Sequence, residues 1–169
     1  MTWYVLLIAA VAAERLAELV VARRNLAWSR ARGGMEFGAW QYPVMVALHV
    51  GLLVGCVAEV YLLHRPFLPG LGWPMLAVVV TAQLLRWWCI TTLGGQWNTR
   101  VVVIPGAVRI TGGPYRRLPH PNYVAVIAEG IALPLVHTAW LTAFVFTVLN
   151  AALLRARITC ENAALARLS

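Results

Sequence analysis

The chain has 169 residues, 61% of them hydrophobic and only 12% charged, with a mean hydropathy of +0.73. A soluble domain of this size carries roughly a quarter charged residues, so a soluble globular protein is excluded and one integral membrane domain is expected. The net charge of +8 comes from fourteen arginines, no lysine, six glutamates and no aspartate. Basic loops orient helices and meet anionic lipid, so this charge requires no nucleic-acid partner.

Five apolar segments follow one another, over residues 3–21, 42–63, 73–93, 123–136 and 139–154. The first runs straight into "ERLAEL". It lacks a basic leader and a small-residue cleavage site, so it reads as a span rather than a signal peptide. The last two are short and joined by "VHTAW", which predicts a helical hairpin, tilted or sheltered by protein. Eleven arginines (23, 24, 30, 32, 100, 109, 116, 117, 155, 157 and 167) fall on one side of a five-span arrangement. The positive-inside rule then puts the N-terminus outside and the C-terminus in the cytoplasm, and the all-arginine, alanine-rich usage points to a GC-rich bacterium and so to its inner membrane. Cys56, Cys89 and Cys160 lie far apart, with no metal or redox spacing. No metal site is expected.

Between residues 94 and 119 the chain turns polar. "TRVVVI", "PGA" and "VRITGGPY" place β-branched runs around a Pro-Gly turn, predicting a short hairpin or an extended flap. Pro121 suits the first turn of the fourth helix, which needs no amide hydrogen there. His120 then stands at the helix mouth, beside backbone N–H groups that favour an anion.

Ionisable groups inside spans are costly and need partners or a cavity. Glu14, Arg15, Glu18, Arg86, Glu129 and Asn150 all fall in the cytoplasmic half by helical rise, with Glu59 near the other end. Arg15 reaches Glu18 at i,i+3, and Arg86 matches Glu14, Glu18 or Glu129 in depth. These groups either tie the bundle together as ion pairs or line a polar cavity. Asn122, Val126 and Glu129 share one face. Arg157 and Glu161 are i,i+4 neighbours, so they form a helix salt bridge, or the C-terminal helix folds back and presents Arg157, Glu161 and Asn162 to a site shared with His120. The eight tryptophans read mostly as interfacial anchors, with Trp87 and Trp88 also candidates for a lipid-tunnel wall.

"GGPYRRLPHPNY", then Glu129, then "RITCENAAL" after a helical hairpin, together resemble the isoprenylcysteine carboxyl methyltransferase family of membrane enzymes. That family carries a Gly-Pro-Tyr, an Arg-His-Pro-x-Tyr, and a distant Arg-x-x-x-Glu-Glu or Glu-Asn. "LGGQWNTRVVVIPG" resembles the segment just upstream, so the resemblance covers residues 93–168. The first half, with "ERLAELVVARRNLAW" and "YPVMVALH", resembles a bacterial branch associated with type III polyketide synthases that methylates phenolic lipids or alkylpyrones. The chain departs from the family at Pro119, where the Arg before the His is usual. It carries Asn162 as the second residue of the acidic pair, as the bacterial branch does.

The resemblance implies an all-α membrane fold of about five helices with a cytoplasmic flap and a C-terminal cytoplasmic helix. Residues 1–93 form a three-helix part, and residues 94–169 form the methyltransferase core. It implies S-adenosylmethionine as methyl donor, held by Gly113, Tyr115, Leu118, His120, Tyr123, Glu129 and Asn162. Glu161, Arg157 and His120 carry the catalytic roles. Gln96, Trp97, Asn98 and Arg86 lie toward a lipophilic acceptor that enters from the bilayer. The acceptor oxygen belongs to a phenolic lipid or alkylpyrone, or to a prenylcysteine-like carboxylate, and a type III polyketide synthase pathway is the implied setting. A phenol, with a pKa of about 10, benefits from a base; Glu161 and then His120 are the candidates. Two other readings remain. NADPH-dependent membrane sterol reductases share the His-Pro-x-Tyr ending but are longer, and a non-catalytic membrane scaffold would need none of these residues.

Overall fold

The computed structural model describes residues 2–168. Five helices make up the fold: α1 (Thr2–Arg30), α2 (Gln41–Leu62), α3 (Pro69–Leu93), α4 (Pro121–Leu135) and α5 (Trp140–Leu168). Two three-residue strands, β1 (Met35–Phe37) and β2 (Val101–Val103), and 3-10 turns at Gly94–Gln96 and Gly113–Arg116 complete it. Among the described residues, α2, α3 and α5 are long and apolar enough to cross a bilayer. The protein is therefore an all-α integral membrane protein with a small ribbon attached. α1 is long enough to span but carries charges, and α4 is short, at about 22 Å by helical rise.

α4 compensates for its length by burial. It packs between α3 and α5, with Ala125, Ala132 and Leu133 wholly buried. Gly130 sets its approach to α5, since a Cβ there would lie 2.1 Å from the Phe146 ring. The expected tight turn follows α4. Thr138 takes a left-handed φ of 55°, and its hydroxyl donates to the Pro66 carbonyl at 2.7 Å. The apolar core (Tyr4, Ile8, Leu52, Cys56, Val79, Leu133 and their neighbours) occupies the end of the bundle near this turn. There the Tyr4 hydroxyl donates to the Leu133 carbonyl at 3.0 Å.

The structure corrects one expectation and decides between alternatives at two other places. α1 does not stop near residue 21 but runs to Arg30, carrying Asn25 and Ser29 to the far end of the bundle. The C-terminal segment does not fold back, because α5 is one helix from Trp140 to Leu168. The Pro-Gly segment does turn, with Ala107 N–H donating to the Ile104 carbonyl at 3.1 Å, but no hairpin forms. β2 pairs antiparallel with β1 instead, Met35 opposite Val103 and Phe37 opposite Val101. The reason is burial. Val101 is covered at 6% exposure, whereas Val108 on the returning limb is 83% exposed and gains nothing from pairing.

Candidate active site

The first turn of α4 builds the mouth of the site. Pro121 starts the helix, and His120 in the N-cap position makes no side-chain cap bond, which leaves its ring free. One turn separates His120 from Tyr123, so their rings stack, with centroids 5.4 Å apart and planes 19° apart. α5 passes beside them. The Tyr123 hydroxyl donates to Glu161 at 2.7 Å, and His120 Nδ1 lies 3.8 Å from the same carboxylate oxygen. Glu161 therefore meets His120 and Tyr123 without any folding back of the C-terminal helix.

Arg157 does not form the helix salt bridge that its spacing from Glu161 allows. Its guanidinium turns inward, donating to the Thr99 carbonyl at 2.9 Å and lying 3.5 Å from the Met45 sulfur. It also stands 5.9 Å from the Tyr123 ring centroid. At 5% exposure it is a buried cation, and no carboxylate among the described residues lies within ion-pair distance. A buried charge without a counter-charge is costly unless a ligand supplies one.

These residues line one cavity of about 420 Å³. Its roof is the chain from Gln96 to Val103, stapled down by side chains of α1. Asn25 donates to the carbonyls of Gly94 and Trp97 at 2.9 and 2.8 Å, and Ser29 accepts from Asn98 at 3.2 Å. Arg100 pairs with Glu36 of β1 at 2.6 Å and covers the Tyr42 ring. Tyr115, on the 3-10 turn, reaches the cavity from the side of α3. Burial, then the neighbouring Cys89 thiol, push its phenol above the ordinary value.

Arg15, Glu18 and Arg86 line the deeper end. Arg86 donates to Glu129 at 2.7 Å and lies 3.4 Å from Glu18. Arg15 pairs with Glu18 at 2.6 Å and also with Glu129. Two cations and two anions thus neutralise one another in the membrane interior, as the depth matching predicts. Glu14 stands apart and accepts from the Trp87 indole at 2.5 Å. Leu16 of α1 and Val50 of α2 line the cavity and are also 65% and 54% exposed. The gap between α1 and α2 therefore opens the cavity to the lipid-facing surface.

The cavity brings together His120, Tyr123, Tyr115, Arg157, Glu161, Arg86, Gln96, Trp97 and Asn98. It does not bring in four others. Glu129 is taken by Arg15 and Arg86. Gly113, with φ of 53°, packs its backbone against Thr92, which a Cβ would meet at 2.6 Å. Leu118 is 38% exposed on the connecting turn. Asn162 lies one residue beyond Glu161, about 100° round the helix, and is exposed. Trp87 and Trp88 are also outside the cavity wall. Sequence reasoning missed Thr99 as the Arg157 acceptor and His49 as a wall residue. The "YPVMVALH" stretch contains His49 but gives no sign of the direction its ring faces.

A family model for isoprenylcysteine carboxyl methyltransferases matches residues 75–167. That span includes most of α3, the roof, the mouth and both helices of the hairpin. The chain belongs to the isoprenylcysteine carboxyl methyltransferase family. It is also 38% identical over 161 residues, 95% of each chain, to the uncharacterized protein YpbQ of Bacillus subtilis (strain 168). No solved structure matches it. Family membership makes the fold that of a membrane methyltransferase, and members of the family use S-adenosylmethionine.

Proposed function

We propose that this protein transfers a methyl group from S-adenosylmethionine to an oxygen of a lipophilic acceptor at the membrane. The observation that carries this reading is the buried Arg157 with no carboxylate partner among the described residues, set in the same cavity wall as Glu161, His120 and Tyr123. The donor set fits this methyl donor. Arg157 matches its carboxylate, while the Glu161 carboxylate and the Tyr123 ring suit its cationic sulfur. Tyr115 and the roof carbonyls supply further hydrogen-bonding groups. When bound, the cofactor supplies an electrophilic methyl group.

The residues of the chain bind, orient and exclude water. Displacement at a methyl carbon is in line, so holding donor and acceptor in register contributes most of the rate. The roof, tied to α1, β1 and α5, closes the site from above. The gap at Leu16 and Val50 gives an apolar molecule a route from the bilayer. The arginine-rich end that carries the mouth faces the cytoplasm in this reading, where the water-soluble donor is found. The acceptor oxygen belongs to a phenolic lipid or alkylpyrone, or to a prenylcysteine-like carboxylate, and a type III polyketide synthase pathway is the setting that the bacterial-branch resemblance favours.

Two measurements test this. Calorimetry on the purified protein is expected to show S-adenosylmethionine binding that Arg157→Ala and Glu161→Ala each weaken at least about tenfold, about 1.4 kcal/mol. Binding of NADPH in its place would sink the proposal in favour of a reductase. Mass spectrometry of lipids from cells with and without the protein is expected to reveal a species heavier by one methyl group.

A further inference from the structure

We infer that His49 is the general base of the methyl transfer and that the acceptor oxygen is therefore a hydroxyl. This rests on the methyltransferase reading above and narrows it, because a carboxylate acceptor is already ionised and needs no base.

His49 lies eight residues after Gln41 in α2, about 12 Å into the helix by rise. Its Nδ1 is 2.8 Å from the Met45 carbonyl oxygen. A carbonyl only accepts, so Nδ1 carries the proton and Nε2 keeps a free electron pair. Backbone bonding of one ring nitrogen is the usual way to fix a neutral, basic tautomer. No protein group among the described residues bonds Nε2, yet the ring is a wall of the main cavity. The Phe146 ring backs it edge-on, 5.6 Å away at 85°, which holds its orientation.

The groups packed around the ring offer a resting imidazolium no free counter-charge. The charged groups around it are Arg15 on α1, Arg86 on α3 and Glu129 on α4. Both arginines are engaged by Glu129 and Glu18, so no carboxylate is spare to hold an imidazolium permanently. Of the two bases the sequence offers, Glu161 already accepts the Tyr123 hydroxyl at the mouth, and His120 stacks on Tyr123 beside the same carboxylate. A hydroxyl lipid entering between Leu16 and Val50 meets the deeper part of the cavity, where His49 stands.

His49 Nε2 takes the hydroxyl proton as the acceptor oxygen forms its bond to the methyl carbon. The bond from that carbon to the donor sulfur breaks, and its electron pair stays on sulfur. The positive charge that began on sulfur ends on the imidazolium, beside a neutral ether and a neutral thioether. The imidazolium then gives its proton to water through the mouth.

The test uses the full chain in nanodiscs. His49→Asn keeps an N–H for the Met45 carbonyl and removes Nε2. Turnover of para-octylphenol is expected to fall by about 10²–10⁴-fold. Turnover of an octyl-nitrophenol, already ionised at the assay pH, is expected to fall less than about tenfold, because no proton transfer remains to be catalysed. Without cofactor, ¹⁵N spectra of histidine-labelled wild type are expected to show the His49 Nε2 signal move when para-octylphenol is added, with Nδ1 still protonated. Equal losses on both phenols, an unmoved Nε2 signal, or a wild type that methylates only carboxylates would each overturn the assignment. If His49→Asn does not fold, the wild-type spectra decide. A variant as fast as wild type defeats His49 alone, whereas a wild type that binds no S-adenosylmethionine defeats the methyltransferase reading itself.

Discussion

Glu59 and Arg157 are both buried charges, one at each end of the bundle, and the protein treats them in opposite ways. Glu59 is saturated. Its carboxylate pairs with Arg65 at 2.9 Å and accepts from the Thr142 amide and hydroxyl at 2.7 and 2.8 Å and the Leu141 amide at 3.2 Å. It thus caps the start of α5 from α2, where free amides and the helix dipole favour an anion. Arg157 has a backbone carbonyl, a thioether and the face of the Tyr123 ring, but no anion among the described residues. The Glu59 end, packed with Tyr4, Phe67, Trp73 and His137, is built to be closed. The Arg157 end is left electrostatically incomplete, as the proposed donor site requires.

The Arg15, Glu18, Arg86 and Glu129 quartet lies between these extremes. It lines the cavity, yet its charges balance. If its role is to hold α1, α3 and α4 together, breaking it is the most damaging change to the fold. Arg86→Met strands two carboxylates on one arginine and is expected to cost about 3–5 kcal/mol, read as a lowered thermal unfolding midpoint in detergent. Arg86→Met combined with Glu129→Leu removes one charge of each sign and is expected to recover most of that loss. A single variant that unfolds like wild type would place the quartet with Arg157, as a site poised for ligand.

The quartet was readable from the sequence because helical rise matches Arg86 to Glu18 and Glu129 in depth; the same rise admits Glu14, which the structure gives to the Trp87 indole instead. Spacing alone leaves Arg157 and Glu161 open between a helix salt bridge and a site shared with His120. An i,i+4 pair is worth only a few tenths of a kcal/mol, and the Thr99 carbonyl on the roof takes the guanidinium instead. The partner of β2 was hidden for a different reason. Val101–Val103 pair with Met35–Phe37, more than sixty residues away, and no local turn signal reports a pairing at that range. His49 looks like one polar residue in an apolar helix until the neighbouring helices show that it faces the cavity.

Glu59→Gln gives the second-largest expected effect and separates the two ends most directly. The amide keeps the shape but loses the charge that Arg65 and the α5 amides share. Hydrogen bonds to a charged group contribute about 1.5–3 kcal/mol, so a stability loss of that order is expected in thermal unfolding. Methyl transfer per folded molecule is expected to stay at the wild-type level. Loss of activity without loss of stability would mean that the closed end also serves the chemistry.

The smallest expected effect belongs to the ribbon over the cavity. Glu36 pairs with Arg100 at 2.6 Å and Arg30 at 3.3 Å, but the Arg30 side chain is 60% exposed and that of Arg100 30%. Pairs this open contribute about 0–1 kcal/mol and weaken with salt. Glu36→Gln is therefore expected to leave the unfolding midpoint nearly unchanged. Hydrogen exchange at Val101–Val103 is expected to quicken by no more than about fivefold, the equivalent of roughly 1 kcal/mol, and the difference from wild type should fade in high salt. The roof's main anchors are the hydrogen bonds from Asn25 and to Ser29, so exchange faster than this would show instead that the open ion pairs hold it down.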